Sequence, residues 1–135
     1  MIINDPATLA EVAAQFAAYE KALVTNDVAA LDGFFARSAE VIRYGMGENL
    51  YGYEEIKSFR AGRPSAGLAR SLERTRITTY GRDFAIASTL FRRASAPGKV
   101  GRQMQTWARL PEGWRVVAAH VSLIVEPGVA GAPPL

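Results

Sequence analysis

The stretch SLERTRITTYGRDFAIASTLFRR, residues 71–93, decides the fold class. Polar and apolar side chains alternate along both halves, and Gly-Arg-Asp between them is a turn sequence, so the stretch is predicted to be a β-hairpin. Two segments with the same period of two follow, GRQMQTWARL at 101–110 and WRVVAAHVSLIV at 114–125. Because the connections SAPGK and PEG are short, the strands are antiparallel. The sequence therefore predicts a four-stranded meander.

A long helical segment lies at the other end of the chain. Residues 5–26 carry apolar side chains at spacings of three and four, and this stripe includes Tyr19. Asn4 or Asp5 is the predicted cap, and Pro6 stands at the first helical position, where its missing N–H costs nothing. Tyr19 is therefore expected to face the interior of the protein.

Two shorter helices, at 28–36 and 52–63, and a short strand at 40–44 are predicted between the long helix and the meander. Helices segregated from an antiparallel sheet are typical of an α+β domain. A curved sheet wrapped around the long helix would leave an internal pocket. We expect one domain over residues 1–126, and a tail rich in proline and small residues at 127–135 that is mobile.

The composition excludes several classes of function. The chain has 135 residues, 49% of them apolar and 21% charged, as in ordinary globular domains. The absence of cysteine excludes disulfides and thiolate chemistry. The N-terminus MIINDPATLAE has neither a basic segment nor a long apolar run, so a cytoplasmic location without a membrane partner is expected.

The charges are mostly carried by arginine. The net charge is +3, and 13 of the 16 basic residues are arginines, scattered along the chain rather than clustered. A nucleic-acid-binding protein would cluster them on one face, so no nucleic-acid partner is expected. Guanidinium binds carboxylates with two parallel hydrogen bonds, as lysine cannot, so the preference for arginine favours recognition of small anions.

The stretch VIRYGMGENLYG, residues 41–52, carries an arginine into a glycine-rich corner. In a strand Val41 and Arg43 share a face, and if that face covers the core, Arg43 points inward and holds an anion. The alternative is an arginine at a strand end whose stem packs while its head reaches water. An inward Arg43 needs a partner, such as Glu20, Glu48 or a ligand, because an unpaired buried cation is costly.

Tyr19 and His120 are further candidates. Tyr19 is either a core aromatic or the donor of a hydrogen bond to a ligand in the pocket. His120, the single histidine, is predicted to share a strand face with Ser122, Ala118 and Trp114. If that face lines the pocket, His120 acts as acid, base or carboxylate binder, and Ser122 contacts the substrate. Otherwise His120 is satisfied within the sheet.

Residues 101–110 place Gln103, Gln105 and Trp107 on one face of a strand. Periodicity does not decide whether this face meets the pocket or the solvent. Two glutamines at this spacing suit the N–H and C=O groups of a urea, and Tyr44 is a further candidate for substrate binding. With one histidine, no cysteine and no suitable spacing of carboxylates, the sequence predicts no metal site and no cofactor.

Several blocks together resemble one known family: YEKAL, VIRYGMGENLYG, FRAGRP, GRQMQTWARL and GWRVVAAHVSL. They are similar to the AtzH-like family, which includes the oxalurate-catabolism protein HpxZ and lies in the nuclear-transport-factor-2-like superfamily. The similarity runs over about residues 3–125. It implies a cone-shaped, cystatin-like α+β fold with an internal pocket. It also implies a small cytoplasmic bacterial protein that acts alongside amidases.

The same resemblance implies an activity and a functional pair of residues. The activity is the conversion of 1,3-dicarboxyurea to allophanate in the breakdown of cyanuric acid or oxalurate and other ureides. The pair is Tyr19 and Arg43. We expect Arg43 to hold a carboxylate or a developing oxyanion, and Tyr19 to donate to the departing nitrogen or the carbonyl oxygen.

Two alternatives stay open at this point. In one, a water molecule activated by His120 hydrolyses the ureido substrate. In the other, the domain is a non-catalytic module that binds a ligand or assembles with a pathway amidase. A homodimer is expected in every case, because an exposed sheet back that carries Trp107 or Phe91 would need cover.

Overall fold

The computed structural model describes residues 1–126. Its first helix, α1 (Pro6–Val24), begins where the sequence predicts, because Asp5 caps it. The Asp5 carboxylate accepts a hydrogen bond from the backbone N–H of Thr8 at 3.1 Å. Helices begin with unpaired N–H groups, and aspartate is among the residues that satisfy them best. The predicted tail, residues 127–135, lies outside the described residues.

Helices α2 (Val28–Phe34) and α3 (Tyr53–Ala61) also form close to their predicted positions. Asp27 caps α2 by accepting a hydrogen bond from the backbone N–H of Ala30 at 3.2 Å. Helix α3 follows Gly52, whose φ of 86° lies in the left-handed region that favours glycine. Within residues 1–126, no helix combines the length and the apolar character needed to cross a membrane.

The helices pack against one face of a six-stranded sheet. The strands are β1 (Ile42–Tyr44), β2 (Asn49–Tyr51), β3 (Ser71–Tyr80), β4 (Phe84–Arg92), β5 (Lys99–Leu110) and β6 (Gly113–Val125). Their order across the sheet is β2-β1-β6-β5-β4-β3. Strands β3 to β6 form the predicted antiparallel meander. Strand β1 runs parallel to β6, and the short β2, which sequence reasoning missed, pairs antiparallel with β1. The α+β prediction is confirmed.

A β-bulge interrupts the pairing of β5 with β6. Thr106 pairs with Ala118, but the next residue of β5, Trp107, pairs with Val116. One residue of β6 is therefore extra. An extra residue reverses which side chains face each side of the sheet, because side chains alternate along a strand.

The bulge decides where His120 lies. Before it, Trp114 and Val116 are buried against the helices, at 6% and 0% exposure. Beyond it, Ala119 and Val121 face inward and line a cavity, and His120 lies on the opposite face, across from Met104. The prediction that Trp114 and His120 share a face is therefore wrong.

The core lies between the helices and the inner face of the sheet. Its buried apolar residues include Val12, Phe16, Leu23, Leu31, Phe35, Ile56, Trp107 and Val116. A buried ion pair crosses from α3 to α2, where Nη1 of Arg60 donates to Oδ1 of Asp32 at 2.6 Å. The Arg60 guanidinium also lies 4.9 Å from the ring centroid of Phe35. The pair is enclosed by the core and fixes α2 against α3.

Gly101 in β5 lies against the fully buried ring of Phe91 in β4. A Cβ added at Gly101 would lie 2.1 Å from Cζ of that ring. We expect Gly101→Ala to lower the free energy of unfolding by about 1–3 kcal/mol, because the ring has to move within a packed core. Urea denaturation followed by circular dichroism measures the change. Gly33→Ala is the control, since nothing lies within 4 Å of the added Cβ. Equal losses in both variants would contradict the packing argument.

The outer face of the sheet exposes several apolar side chains, but they are not the ones predicted from the sequence. Trp107 and Phe91 are both 0% exposed in the single chain, so the prediction that they lie on an exposed sheet back is wrong. The exposed apolar side chains of this face include Ile42, Tyr44 and Met104. The homodimer stays a prediction, and this is the face that we expect a second copy to cover.

Candidate functional site

A cavity of about 160 Å³ lies between the helices and the inner face of the sheet. Tyr19 of α1 and Arg43 of β1 line it, together with Gln103 and Gln105 of β5. A molecule of liquid water occupies about 30 Å³, so the cavity has room for roughly five water molecules. This size suits a small metabolite and excludes a nucleotide or a polymer.

Tyr19 is held in place by aromatic rings. It is 5% exposed, and its ring centroid lies 5.7 Å from that of Phe34, 6.3 Å from that of Phe35 and 6.3 Å from that of Trp107. These are edge-on or tilted contacts, which aromatic pairs prefer. The Tyr19 hydroxyl forms no hydrogen bond to another residue in the range 1–126 and belongs to a cavity-lining side chain. It is therefore positioned to donate to a ligand.

Arg43 points inward, and its side chain is 13% exposed. Its Nη1 donates to Oε1 of Glu48 at 2.8 Å, and its guanidinium carbon lies 5.5 Å from the ring centroid of Phe59. The sequence left open whether Arg43 points inward or toward solvent. In the structure it points inward and is paired with Glu48. The Glu48 carboxylate stands where a ligand carboxylate would bind.

The Glu48 carboxylate reaches Arg43 across a glycine. A Cβ added at Gly45 would lie 1.7 Å from Oε1 of Glu48, which is far closer than atoms can approach. The other oxygen, Oε2, accepts a hydrogen bond from the backbone N–H of Gly47 at 3.1 Å. Gly45 therefore leaves room for this carboxylate beside Arg43, whereas a Cβ added at Gly47 would meet nothing within 4 Å.

Arg70, immediately before β3, is almost completely enclosed, with 1% of its side chain exposed. Its Nε donates to Oε2 of Glu20 at 2.8 Å, and its Nη2 donates to Oε1 of Gln103 at 2.9 Å. The Nη2 atom also donates to the second carboxylate oxygen of Glu20. A bidentate pair of this kind fixes both partners, so Arg70 is neutralised and orients Gln103.

Arg63, after α3, and Arg93, after β4, line the same cavity without a carboxylate partner among residues 1–126. Their Nε atoms are buried and make no hydrogen bond there. Arg63 makes one long hydrogen bond, from Nη2 to Oδ1 of Asn26 at 3.4 Å. The Arg93 guanidinium lies 5.1 Å from the ring centroid of Phe91. Both residues are half-buried, and neither is paired with a carboxylate within residues 1–126.

The charges around the cavity do not balance. Four arginines line it, and in the part of the chain that the structure describes only two of them are paired with carboxylates, those of Glu48 and Glu20. Burial and then nearby arginines lower the pKa of Arg63 and Arg93 from its ordinary value. The site carries an excess of two positive charges on half-buried side chains, which is the electrostatic setting for a small anion.

The two glutamines of β5 supply directed polar groups. Gln103 is 6% exposed, and its Nε2 is a buried donor without a partner in residues 1–126. Gln105 is 2% exposed, and its Oε1 accepts from Nε1 of Trp107 at 3.1 Å. The sequence left open which face of this strand meets the pocket, and the structure turns the glutamine face inward.

Three of the predicted site residues have their side chains on the outer face. The Tyr44 hydroxyl is hydrogen-bonded to that of Tyr51 at 2.8 Å. His120 is exposed, and its ring centroid lies 6.2 Å from that of Tyr44, although its position in β6 borders the cavity. Ser122 Oγ accepts a hydrogen bond from Nε of Arg102 at 3.2 Å. Tyr44 and Ser122 do not line the cavity of Tyr19, whereas His120 borders it from β6 with an exposed ring that lies against Tyr44.

Sequence reasoning missed three cavity arginines, at positions 63, 70 and 93. It treated the basic residues as scattered along the chain and assigned no role to these three. These arginines lie just outside the ends of a helix or a strand, where no periodicity assigns a side chain to a face. The preference for arginine over lysine was the available signal. Within residues 1–126, no cluster of three histidine, aspartate or glutamate side chains could hold a metal ion.

The profile of one protein family matches residues 1–127, nearly the whole chain. The chain belongs to the AtzH-like family. The resemblance drawn from the sequence blocks is thereby confirmed. None of the curated proteins compared with this AtzH-like chain matches it.

Solved structures similar to this AtzH-like protein agree on the fold. A protein of unknown function from the DUF3225 family of Pectobacterium atrosepticum is 60% identical, with a TM-score of 0.88; the match covers 90% of this chain and 94% of that one. A cystatin-like fold protein from Burkholderia xenovorans is 47% identical, with a TM-score of 0.90, covering 94% and 99%.

A more distant structure extends the comparison of the fold. A nuclear-transport-factor-2-like superfamily protein from Salmonella enterica is 22% identical, with a TM-score of 0.71; the match covers 94% of this chain and 98% of that one. At this identity the likeness concerns the fold alone. The predicted nuclear-transport-factor-2-like, cystatin-like fold is confirmed.

Proposed function

We propose that this AtzH-like protein is an enzyme that removes one carboxyl group from an N-carboxylated urea, converting 1,3-dicarboxyurea to allophanate in bacterial nitrogen-compound breakdown. The observation that carries the proposal is an excess of guanidinium groups in a small cavity, beside a tyrosine hydroxyl that has no hydrogen-bond partner in residues 1–126. Such a site offers cations for a small dicarboxylate and a donor for the atom that gains charge.

The reaction needs one bond to break and one proton to be gained. The bond between nitrogen and the terminal carboxyl carbon breaks, its electron pair stays on nitrogen, and carbon dioxide leaves. Tyr19 donates to that nitrogen, or to the urea oxygen that shares its charge, and solvent supplies the proton that is consumed. Arg43 holds a carboxylate or the developing oxyanion. Donors positioned in advance stabilise this charge without rearranging during the reaction.

The position of His120 favours decarboxylation over hydrolysis. A hydrolytic route needs a base that activates water beside the substrate carbonyl. The single histidine is exposed, with its ring against Tyr44 on the outer face of the sheet. In the proposed route no water attacks the substrate, so no such base is required.

The proposal is tested with freshly prepared 1,3-dicarboxyurea labelled with carbon-13 and followed by timed NMR. The enzyme is expected to speed up the appearance of allophanate and carbon dioxide over the spontaneous decay, which is measured in parallel with heat-inactivated enzyme and subtracted. Attack of water on the central carbonyl would instead split the molecule into two fragments without forming allophanate. The first product therefore separates decarboxylation from attack at the central carbonyl. Attack of water at the terminal carboxyl carbon would also give allophanate, and it is recognised by bicarbonate rather than carbon dioxide as the first co-product.

Two outcomes would overturn the proposal. Products that form without passing through allophanate would establish hydrolysis at the central carbonyl. An unchanged lifetime of 1,3-dicarboxyurea and of related ureido acids at a high enzyme concentration would point to the non-catalytic binding or assembly module. In that second case the cavity would bind its anion without transforming it.

A further inference from the structure

We propose that Arg63 and Arg93 form a second anion subsite in the cavity, so that the ligand is a small dianion with one carboxylate at Arg43 and the other at Arg63 and Arg93. The identification of that dianion as 1,3-dicarboxyurea rests on the proposed function. The existence of the subsite does not, because it follows from the placement of charge around the cavity. The subsite explains how the protein selects a dicarboxylate over a monocarboxylate.

The topology places the two ends of such a ligand on opposite sides of the cavity floor. Arg43 comes from β1, and Arg93 follows the end of β4. In the sheet, β6 and β5 lie between these two strands. Both side chains nevertheless line the same cavity. A ligand that contacts both must carry an anionic group at each end.

The second subsite has donors without hydrogen-bond partners in residues 1–126. No nitrogen of the Arg93 guanidinium forms a hydrogen bond within residues 1–126, and its Nε is also closed off from water. Gln103 lines the same cavity, and its buried Nε2 is a further donor without a partner in residues 1–126. Buried polar atoms without partners are rare in folded proteins. Of the five in residues 1–126, three belong to residues that line this cavity, and a ligand there would complete them; the other two are Nε of Arg60 and Oγ1 of Thr79.

A purely structural role fits these two arginines poorly. Arg60 and Arg70, which are also enclosed, are each paired with a carboxylate of the chain, and Arg70 is paired through two hydrogen bonds. Arg63 and Arg93 lack a hydrogen-bonded carboxylate in the described part of the chain. Burial and nearby arginines lower the pKa of both groups, an effect that Tyr19 offsets in part for Arg63 and Glu20 in part for Arg93. Without ligand they therefore reduce stability, because a half-buried cation without a counter-ion is unfavourable.

The subsite is tested by binding, with a pair of stable probes that differ by one charge. Glutarate has the same spacer length between its carboxylates as 1,3-dicarboxyurea, and its monoamide has the same shape with one carboxylate fewer. Isothermal titration is carried out on the full-length chain and on Arg63→Gln, Arg93→Gln and the double variant. Arg76→Gln is the matched control, because Arg76 is an exposed arginine of β3 whose removal changes the net charge equally.

We expect the wild-type protein to bind glutarate about tenfold or more tightly than the monoamide, since a charge-assisted pair is worth about that much. Each cavity variant should lose most of this preference, and Arg76→Gln should keep it. The thermal midpoint of the ligand-free variants should stay the same or rise, because an unpaired cation has been removed. A structural arginine would instead lower it.

The results that would overturn the subsite are specific. Equal affinity of the wild-type protein for the two probes would do so, as would a preference for glutarate that survives in the double variant. A thermal midpoint several degrees lower in both single variants would assign the arginines to stability. If the preference depends on Arg63 and Arg93 while 1,3-dicarboxyurea is not turned over, the subsite stands and the decarboxylase proposal fails. If 1,3-dicarboxyurea is turned over but the preference for glutarate is absent, the decarboxylase proposal stands and the subsite fails.

Discussion

Tyr19→Phe is expected to lower the turnover of 1,3-dicarboxyurea about 100-fold or more. The substitution removes the hydroxyl that we propose donates to the departing nitrogen or the urea oxygen, and the loss of one such donor typically has an effect of this size. The fold should survive, because the ring keeps its contacts with Phe34, Phe35 and Trp107 and the hydroxyl has no bond in residues 1–126 to lose. Initial rates by NMR and the thermal midpoint measure the two effects.

Tyr80→Phe is the matched control for Tyr19. Tyr80 ends β3 and is 38% exposed, away from the cavity lining. Its variant should retain the full rate, so that a loss seen only at Tyr19 is assigned to the position and not to the change of residue type. A Tyr19→Phe enzyme that retains near-normal turnover would remove this hydroxyl from the mechanism, even if the cavity were still shown to bind the substrate.

Arg43→Gln is expected to reduce kcat/KM by about 100-fold or more, because it removes the cation that holds a carboxylate or the developing oxyanion. The single variant has a second effect, since it leaves the Glu48 carboxylate in the cavity without its partner at 2.8 Å. An unpaired carboxylate would repel an anionic substrate. The double variant Arg43→Gln with Glu48→Gln removes that repulsion and isolates the role of the cation.

Comparing the rates of these variants tests whether Arg43 takes a direct part in the reaction. Glu48→Gln alone should keep substantial activity, because Arg43 remains and has lost only its internal partner. The double variant should stay as impaired as Arg43→Gln. If the double variant instead regained the wild-type rate, the defect of Arg43→Gln would come from the unpaired carboxylate, and Arg43 would have no direct part in the reaction. Steady-state kinetics on all three proteins distinguishes the two cases.

The meander was predictable from the alternation of side chains along a strand, which is regular in β4, although a register shift between Glu73 and Arg76 interrupts it in β3. Alternation also placed Arg43 on the face of Val41, but it left open whether that face meets the core. Helix α1 was predictable within two residues of its end, because Asp5 and Pro6 mark its start. In these places local residue type and tertiary structure agree.

Alternation also explains the main error. The bulge opposite Thr106 and Trp107 adds one residue to β6, and a sequence without an unusual residue at that point gives no sign of it. Every face assignment on β6 after the bulge is then reversed, so His120 and Ser122 were placed on the wrong side relative to Trp114. Such a bulge is set by how the curved sheet packs on its helices, which is a property of the whole domain.

The cavity arginines could not be placed for a different reason. Arg63, Arg70 and Arg93 lie in connections, and a connection has no period from which to read a direction. What brings them together is the order of strands in the sheet, including the parallel contact of β1 with β6, which joins segments far apart in sequence. The excess of positive charge is therefore a finding of the three-dimensional structure, although the arginine-rich composition is consistent with it.

The carboxylate of Glu48, carried over Gly45 to Arg43, has a consequence for selectivity in the cell. The Arg43 guanidinium is already paired, so an anion that binds there competes with the Glu48 carboxylate. Because Glu48 is linked to the strand by a short turn, its effective concentration at Arg43 is high. A ligand with a second anionic group that binds elsewhere in the cavity is better able to displace Glu48. The pair therefore favours dianions over monoanions at the binding step.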